Sequence, residues 1–171
     1  SANPSPGAGT FTTNPPAAGT PPTVPSSYLI SPALSGTKTL CASGCDYATL
    51  TGAGGLFAAI NAGVATGNIV IEIGSDLVVG EDGSVALNPL AEEPPASNYT
   101  VKIYPTGAAR AITSTTAPTG GFIRLNGADR VTIDGSIGGT GTDRSLTITD
   151  TNTGTTSGVI QLQTNGADGA A

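Results

Sequence analysis

From Ile69 onward the chain reads as short apolar runs separated by Gly, Asn, Asp, Ser and Thr. These are Ile69-Val70-Ile71-Glu72-Ile73, Leu77-Val78-Val79, Val85-Ala86-Leu87, Thr100-Val101-Lys102-Ile103-Tyr104, Phe122-Ile123-Arg124-Leu125, Val131-Thr132-Ile133-Asp134, Leu146-Thr147-Ile148-Thr149 and Val159-Ile160-Gln161-Leu162. Within several of them apolar and polar residues alternate, Val101 and Ile103 against Lys102 and Tyr104 for example, so one face of each strand points into a core and the other is wet. Upstream, a patch at Tyr28-Leu29-Ile30 is read as one further short strand. Leu56, Ala59, Ile60 and Gly63 then fall at helical spacing, and Gly63 suits a helix end, which predicts one helix near 55–63. Its Leu56, Phe57 and Ile60 are expected to cover the first turn of the stacked strands.

The strands also recur. Those starting at Ile69, Thr100 and Val131 are 31 residues apart, and Gly121 to Gly135 is echoed by Gly158 to Gly169, with an Asn-Gly-Ala-Asp corner repeating after 39 residues. A sandwich gives hairpins every ~8–12 residues and no reason for a corner to recur, whereas stacked rungs of ~20–40 residues do. The expected fold is all-β, a short parallel β-helix of about three rungs. At its corners Asn126 and Asn165 can take left-handed backbone angles or hydrogen-bond along the stack, and Gly127 and Gly166 tolerate positive φ. The second copy stops before its following strand, which predicts an open, unpaired edge at Val159, Ile160 and Leu162.

Composition narrows the class. The 171 residues include 25 Gly and 13 Pro and no His, Met or Trp, with 11% charged residues and a net charge of −6. The basic residues Lys38, Lys102, Arg110, Arg124, Arg130 and Arg144 are scattered, which argues against a nucleic-acid partner. No apolar run reaches the ~20 residues of a membrane span. No charged-then-apolar leader precedes Ser1, and any export signal is expected to have been removed already. Cys41 and Cys45 flank small residues that allow a tight disulfide, and with the low Lys content they point to an extracellular, oxidising setting. The same pair could instead be two free thiols in a cytosolic loop.

The chain reads as three regions. Residues 1–27 carry seven prolines among Gly, Ala, Thr and Ser and read as an extended segment that needs a surface to lie on, its own domain or a neighbour. Residues 28–66 form an N-terminal cap with the cysteine loop and the helix, and residues 67–171 form the rungs.

The runs Gly55 to Gly63, Gly67 to Ile73, Tyr99 to Pro105 and Leu125 to Gly135 resemble the right-handed β-helix segments of very large secreted surface proteins of Bacteroidetes-type bacteria. The resemblance covers roughly residues 40–171. It implies a cell-surface or filament-forming protein, often exported by a type IX system, although the sorting domain of such proteins is not found in this sequence. It implies no particular activity.

Many parallel β-helices cleave or bind carbohydrate, which requires converging carboxylates or a carboxylate-held Ca²⁺. The best cluster is Asp129, Arg130, Asp134 and Asp150, useful only if Asp134 and Asp150 share an outer face. Turn chemistry and solvated ion pairs account for these residues as well. Glu81-Asp82 and Glu92-Glu93 could bind Ca²⁺ weakly but lack the spacing of a dedicated loop, and Asn98-Tyr99-Thr100 fits a glycosylation sequon, which chance occurrence explains more readily than use. The expectation is a non-catalytic extracellular structural protein with no cofactor or metal. It assembles head to tail with itself through β-helix stacking or strand donation, the N-terminal segment bridging subunits. The alternatives are a fragment of a surface adhesin or stalk and a β-helix that binds or cleaves carbohydrate, with cell-surface glycans as a second class of partner.

Overall fold

The computed structural model describes residues 31–93, 97–116, 120–155 and 157–165. The chain divides into two compact units, 1–30 and 31–171, and every described residue belongs to the second. The Pro-rich segment 1–27, the Tyr28-Leu29-Ile30 patch and Gly166 lie outside the described residues.

Among the described residues eight strands and one α-helix succeed one another: β1 (Ala33–Leu40), α1 (Leu56–Ala62), β2 (Val64–Ile73), β3 (Val101–Pro105), β4 (Arg110–Thr113), β5 (Ile123–Asn126), β6 (Val131–Ile133), β7 (Leu146–Thr149) and β8 (Ile160–Gln163). Every pairing among them is parallel. The sheets are β1-β2-β3-β6, β4-β7 and β5-β8. A chain whose parallel neighbours lie one full turn apart is a β-solenoid. The four-stranded sheet marks about four turns rather than the three expected, because β1 is itself a first turn. Its sequence Ala-Leu-Ser-Gly-Thr-Lys-Thr-Leu has too few apolar residues to read as a strand.

Two of the expected strands contribute single residues only. Leu77 bridges to Ile112 of β4 and Leu87 bridges to Leu125 of β5, each extending a two-stranded sheet back by one turn. The solenoid thus has three faces. The first stacks Ile69, Val101 and Val131, and beside them Ile71, Ile103 and Ile133; the second stacks Leu77, Ile112 and Ile148; the third stacks Leu87, Leu125 and Leu162. Like side chains pile on like, so each turn removes its neighbour's apolar surface from water. The core runs through Leu34, Leu40, Leu50, Ile69, Ile71, Ile73, Leu77, Leu87, Val101, Ile103, Ile112, Phe122, Ile123 and Leu125.

Helix α1 occupies the third face in the first turn. Leu56, Phe57 and Ile60 are buried under it. Its Asn61 donates to the Ala86 carbonyl at 2.8 Å and accepts the Asn88 N–H at 3.0 Å, so it stands where a strand would stand in later turns. The helix is short and ends where Gly63 donates to the Ile60 carbonyl, and the chain then turns directly into β2. No helix among the described residues is long and apolar enough to cross a membrane.

Candidate functional site

The candidate site is the last described turn together with the corner that precedes it. Strands β6, β7 and β8 each stand at the edge of their sheets. Along the third face the leucine column goes from 0% exposed at Leu87 to 9% at Leu125 and 77% at Leu162. The isoleucine column beside it goes from 1% at Ile123 to 45% at Ile160, and Val159 is exposed as well. The register of β5 on β8 is unshifted over four pairs, so the uncovered edge keeps the geometry of a ladder awaiting another strand.

The opposite edge is built differently. Strand β1 carries a register shift between Leu34 and Gly36, with Gly36 at φ 72°, and Lys38 occupies the register position of Ile71, Ile103 and Ile133. A bulge and a charged residue in an inward column both discourage further pairing. Among the described residues the first and last edges are therefore unlike: one is blunted and the other is apolar and regular.

The corner residues form a side-chain ladder. Asn126 Nδ2 donates to Asn88 Oδ1 at 2.8 Å and to Asn165 Oδ1 at 3.0 Å, and Asn88 is tied to Asn61 in turn. Asn165 is left-handed at φ 52°, whereas Asn126 lies within β5 and Gly127 takes the positive φ of 75°. The two Asn-Gly corners do not match residue for residue. Asn126 pairs in register with Gln163, and the second copy reaches its asparagine two residues later.

Cys41 and Cys45 form a disulfide. The loop it closes is held to the second turn, where Ala42 donates its N–H to Ser75 Oγ at 2.9 Å. Beside it lies a pocket of about 200 Å³ lined by Ala42, Ala48, Asp76, Leu77, Val78 and Val79. Its one charged wall is already engaged, since Asp76 Oδ1 accepts the Ala111 N–H at 2.9 Å.

Asp134 and Asp150 do not converge. Asp134 follows β6 and accepts from the Ser136 hydroxyl at 2.7 Å and its N–H at 2.9 Å, with Lys102 Nζ at 3.2 Å. Asp150 follows β7 on a different sheet and accepts from Ser114 Oγ, Asn152 N–H and Gly158 N–H. The shared outer face that would pair them does not form. Arg130, at φ 53°, donates to the Tyr99 carbonyl and pairs with Asp129 and Glu92. Glu92 also accepts the N–H groups of Ser97, Asn98 and Tyr99. Burial pushes its carboxyl upward, but the Asn98 and Tyr99 N–H groups and Arg130 outweigh burial and hold it below the ordinary glutamate value.

Glu81, read in the sequence as part of an acidic loop, is fully buried. Its carboxylate accepts the Leu50 N–H at 2.5 Å, the Thr51 N–H at 2.9 Å and the Thr51 hydroxyl at 2.6 Å, which ties the second turn to the first. Both oxygens are taken, so it is a structural clamp rather than a Ca²⁺ ligand. Among the described residues no group of three or more His, Cys, Asp or Glu could hold a metal ion. Compared with protein-family models, curated proteins and solved structures, the chain matches none.

Proposed function

We propose that this protein is a non-catalytic structural element of an extracellular surface, a right-handed β-solenoid capped at its start by α1. It assembles head to tail through its last turn. The observation that carries the reading is the rise in exposure from Leu87 through Leu125 to Leu162 along one unbroken column. Covering a Leu side chain is worth ~1.5–3 kcal/mol, and the N–H and C=O groups along the edge of β8 supply directional partners besides. Unlike ends fit a heterologous contact, which propagates instead of closing. Right-handed winding follows from the strong preference of parallel crossovers for that hand. The disulfide and the low lysine content support an oxidising, extracellular location.

Light scattering on the purified chain over a micromolar concentration series tests this reading. Mass should grow with concentration, and Leu162→Asp should hold the protein as a monomer with an unchanged melting temperature. A wild-type chain that stays monomeric throughout overturns it.

The unshifted register of β5 on β8 favours a second reading, in which further turns of the same chain continue the solenoid as a surface stalk or adhesin. Intact mass of the natural protein separates the two, since a mass well above 16.6 kDa supports the stalk.

A further inference from the structure

Resting on the assembly reading, the inference concerns which strand covers β8. A second copy cannot supply it from its own first described turn. In that turn the third face holds α1, whose helical backbone offers no strand edge. Stacking alone would leave β8 facing a helix.

The three segments that stack on the third face share a pattern. Gly83-Ser84-Val85-Ala86-Leu87-Asn88-Pro89, Gly121-Phe122-Ile123-Arg124-Leu125-Asn126 and Gly158-Val159-Ile160-Gln161-Leu162-Gln163 align column by column through the Leu87, Leu125 and Leu162 pairings. Each begins with Gly two residues ahead of its first inward apolar residue. At Gly121 the reason is visible, because a Cβ there would lie 2.4 Å from Gln161 Cβ in the next turn. The inward apolar residues come at the third and fifth positions, and the sixth residue of the first two segments is an asparagine of the ladder.

One other stretch of the sequence fits. Gly9-Thr10-Phe11-Thr12-Thr13-Asn14-Pro15 has Gly, a hydroxyl residue, an apolar residue, Asn and Pro in the same columns as Gly83-Ser84-Val85-Ala86-Leu87-Asn88-Pro89. Thr13, in the leucine column, is β-branched and suits a strand. Residues 9–15 lie outside the described residues, so it is their sequence alone that carries the match. They precede α1 in the chain.

We propose that residues 9–14 of a second copy add to β8 as a parallel strand. Phe11 then continues the column of Ile123 and Ile160, Thr13 that of Leu125 and Leu162, and Asn14 lies beside Gln163 and Asn165 at the end of the asparagine ladder. This is strand addition at an exposed edge, with main-chain hydrogen bonds giving affinity and the inward columns giving register.

The test uses the full chain. Association measured by light scattering should weaken at least about tenfold for Phe11→Asp, since losing one buried apolar anchor exceeds the 1.4 kcal/mol of a tenfold change. Asn14→Ala should weaken it less, and neither change should move the melting temperature. In a mixture of light- and heavy-isotope chains with Phe11 replaced by photoreactive p-benzoylphenylalanine, irradiation should give isotopically mixed cross-links to the Ile160–Leu162 peptide. Cross-links confined to single chains overturn the proposal. If Leu162→Asp abolishes association while Phe11→Asp leaves it unchanged, the assembly reading stands and the donated strand is wrong. If the wild-type chain never associates, both fail.

Discussion

Glu81 Oε2 accepts the Thr51 hydroxyl at 2.6 Å in a place where neither residue has any solvent exposure. The same carboxylate takes two backbone N–H groups, and the Glu81 carbonyl accepts from Thr115, so one residue fastens three successive turns. Glu81→Ala would leave the N–H groups of Leu50 and Thr51 without their acceptor inside the core. Each such orphan costs ~1–3 kcal/mol, so the variant should lose on the order of 3 kcal/mol or more in chemical denaturation. Glu81→Gln keeps one acceptor oxygen and should lose less. Equal stability for all three proteins would show that the clamp contributes nothing.

The asparagine ladder predicts a sign as well as a size. Asn126 Nδ2 donates to two acceptor oxygens, those of Asn88 and Asn165. Asn126→Ala removes two half-exposed hydrogen bonds and should cost ~1–2 kcal/mol. Asn126→Asp is nearly isosteric but places an acceptor against two acceptors, so at neutral pH it should destabilise at least as much as Ala. Denaturant midpoints of the two variants decide the order.

How much of the fold is legible in the sequence depends on where the information resides. Strands β2, β3 and β5 show because both neighbouring turns bury one face and impose alternation on it. Strand β1 does not, since as an edge strand it carries Gly36 and Lys38 in the columns where later turns carry Ile69, Val101 and Val131 or Ile71, Ile103 and Ile133. Strand β4 has one fully buried residue, Ile112, between Arg110 and Thr113, too little for a periodic signal. The helix is legible from Leu56, Ile60 and Gly63.

Among the functional residues, the corner asparagines at 126 and 165 are visible as a repeat, but Asn61 and Asn88 are not. The contacts along the ladder span 27, 38 and 39 residues because loops of different length leave the solenoid between turns. Glu81 misleads for a related reason. A carboxylate between Gly80 and Asp82 looks like solvent-facing loop, and only the tertiary fold shows that the first turn aims two N–H groups and a hydroxyl at it.

Acid should weaken the fold from a known direction. Hydrogen bonds from the Ser136 hydroxyl and N–H, with Lys102 nearby, hold Asp134 below its ordinary value of 3.8, and Asp46 and Asp143 are lowered by similar bonds from Thr39 and from Ser145 and Ile137. A carboxyl depressed in the folded state gives stability that is fully present above its unfolded value and is lost as pH falls through the folded one. Denaturant midpoints should therefore be flat near neutrality and begin to fall as pH drops toward 3.8 and below. In Asp134→Asn the fall should be shallower, and a steeper one would contradict the assignment.

The Cys41–Cys45 bridge closes a loop with a sequence separation of 4. Loop-closure entropy for so short a ring amounts to ~2 kcal/mol, and the neighbouring bonds of Cys41 N–H to the Tyr47 carbonyl and of Tyr47 N–H to the Thr39 carbonyl remain after reduction. Reduced protein should stay folded with a modestly lower melting temperature. Loss of the β-sheet circular dichroism signal on adding reductant at room temperature would show that the bridge holds far more than its own loop.

Gly121 offers a way to loosen the last turn without touching the edge itself. Its N–H donates to Gln161 Oε1 at 2.9 Å, and an added Cβ would meet Gln161 Cβ at 2.4 Å, a contact on the rigid base of the side chain that no rotamer relieves. Gly121→Ala must therefore push β8 away from β5, at a cost of ~1–3 kcal/mol by the usual penalty for overpacking. Because Ile160 and Leu162 are exposed while Ile123 and Leu125 are buried, the displaced strand leaves the larger part of the core in place. Hydrogen exchange should then accelerate at Gly127, whose N–H is bonded to the Gln163 carbonyl, and stay slow at Ile103 and Ile112. Uniform acceleration across all three positions would mean that the solenoid unfolds as one unit and that its last turn is not separately mobile.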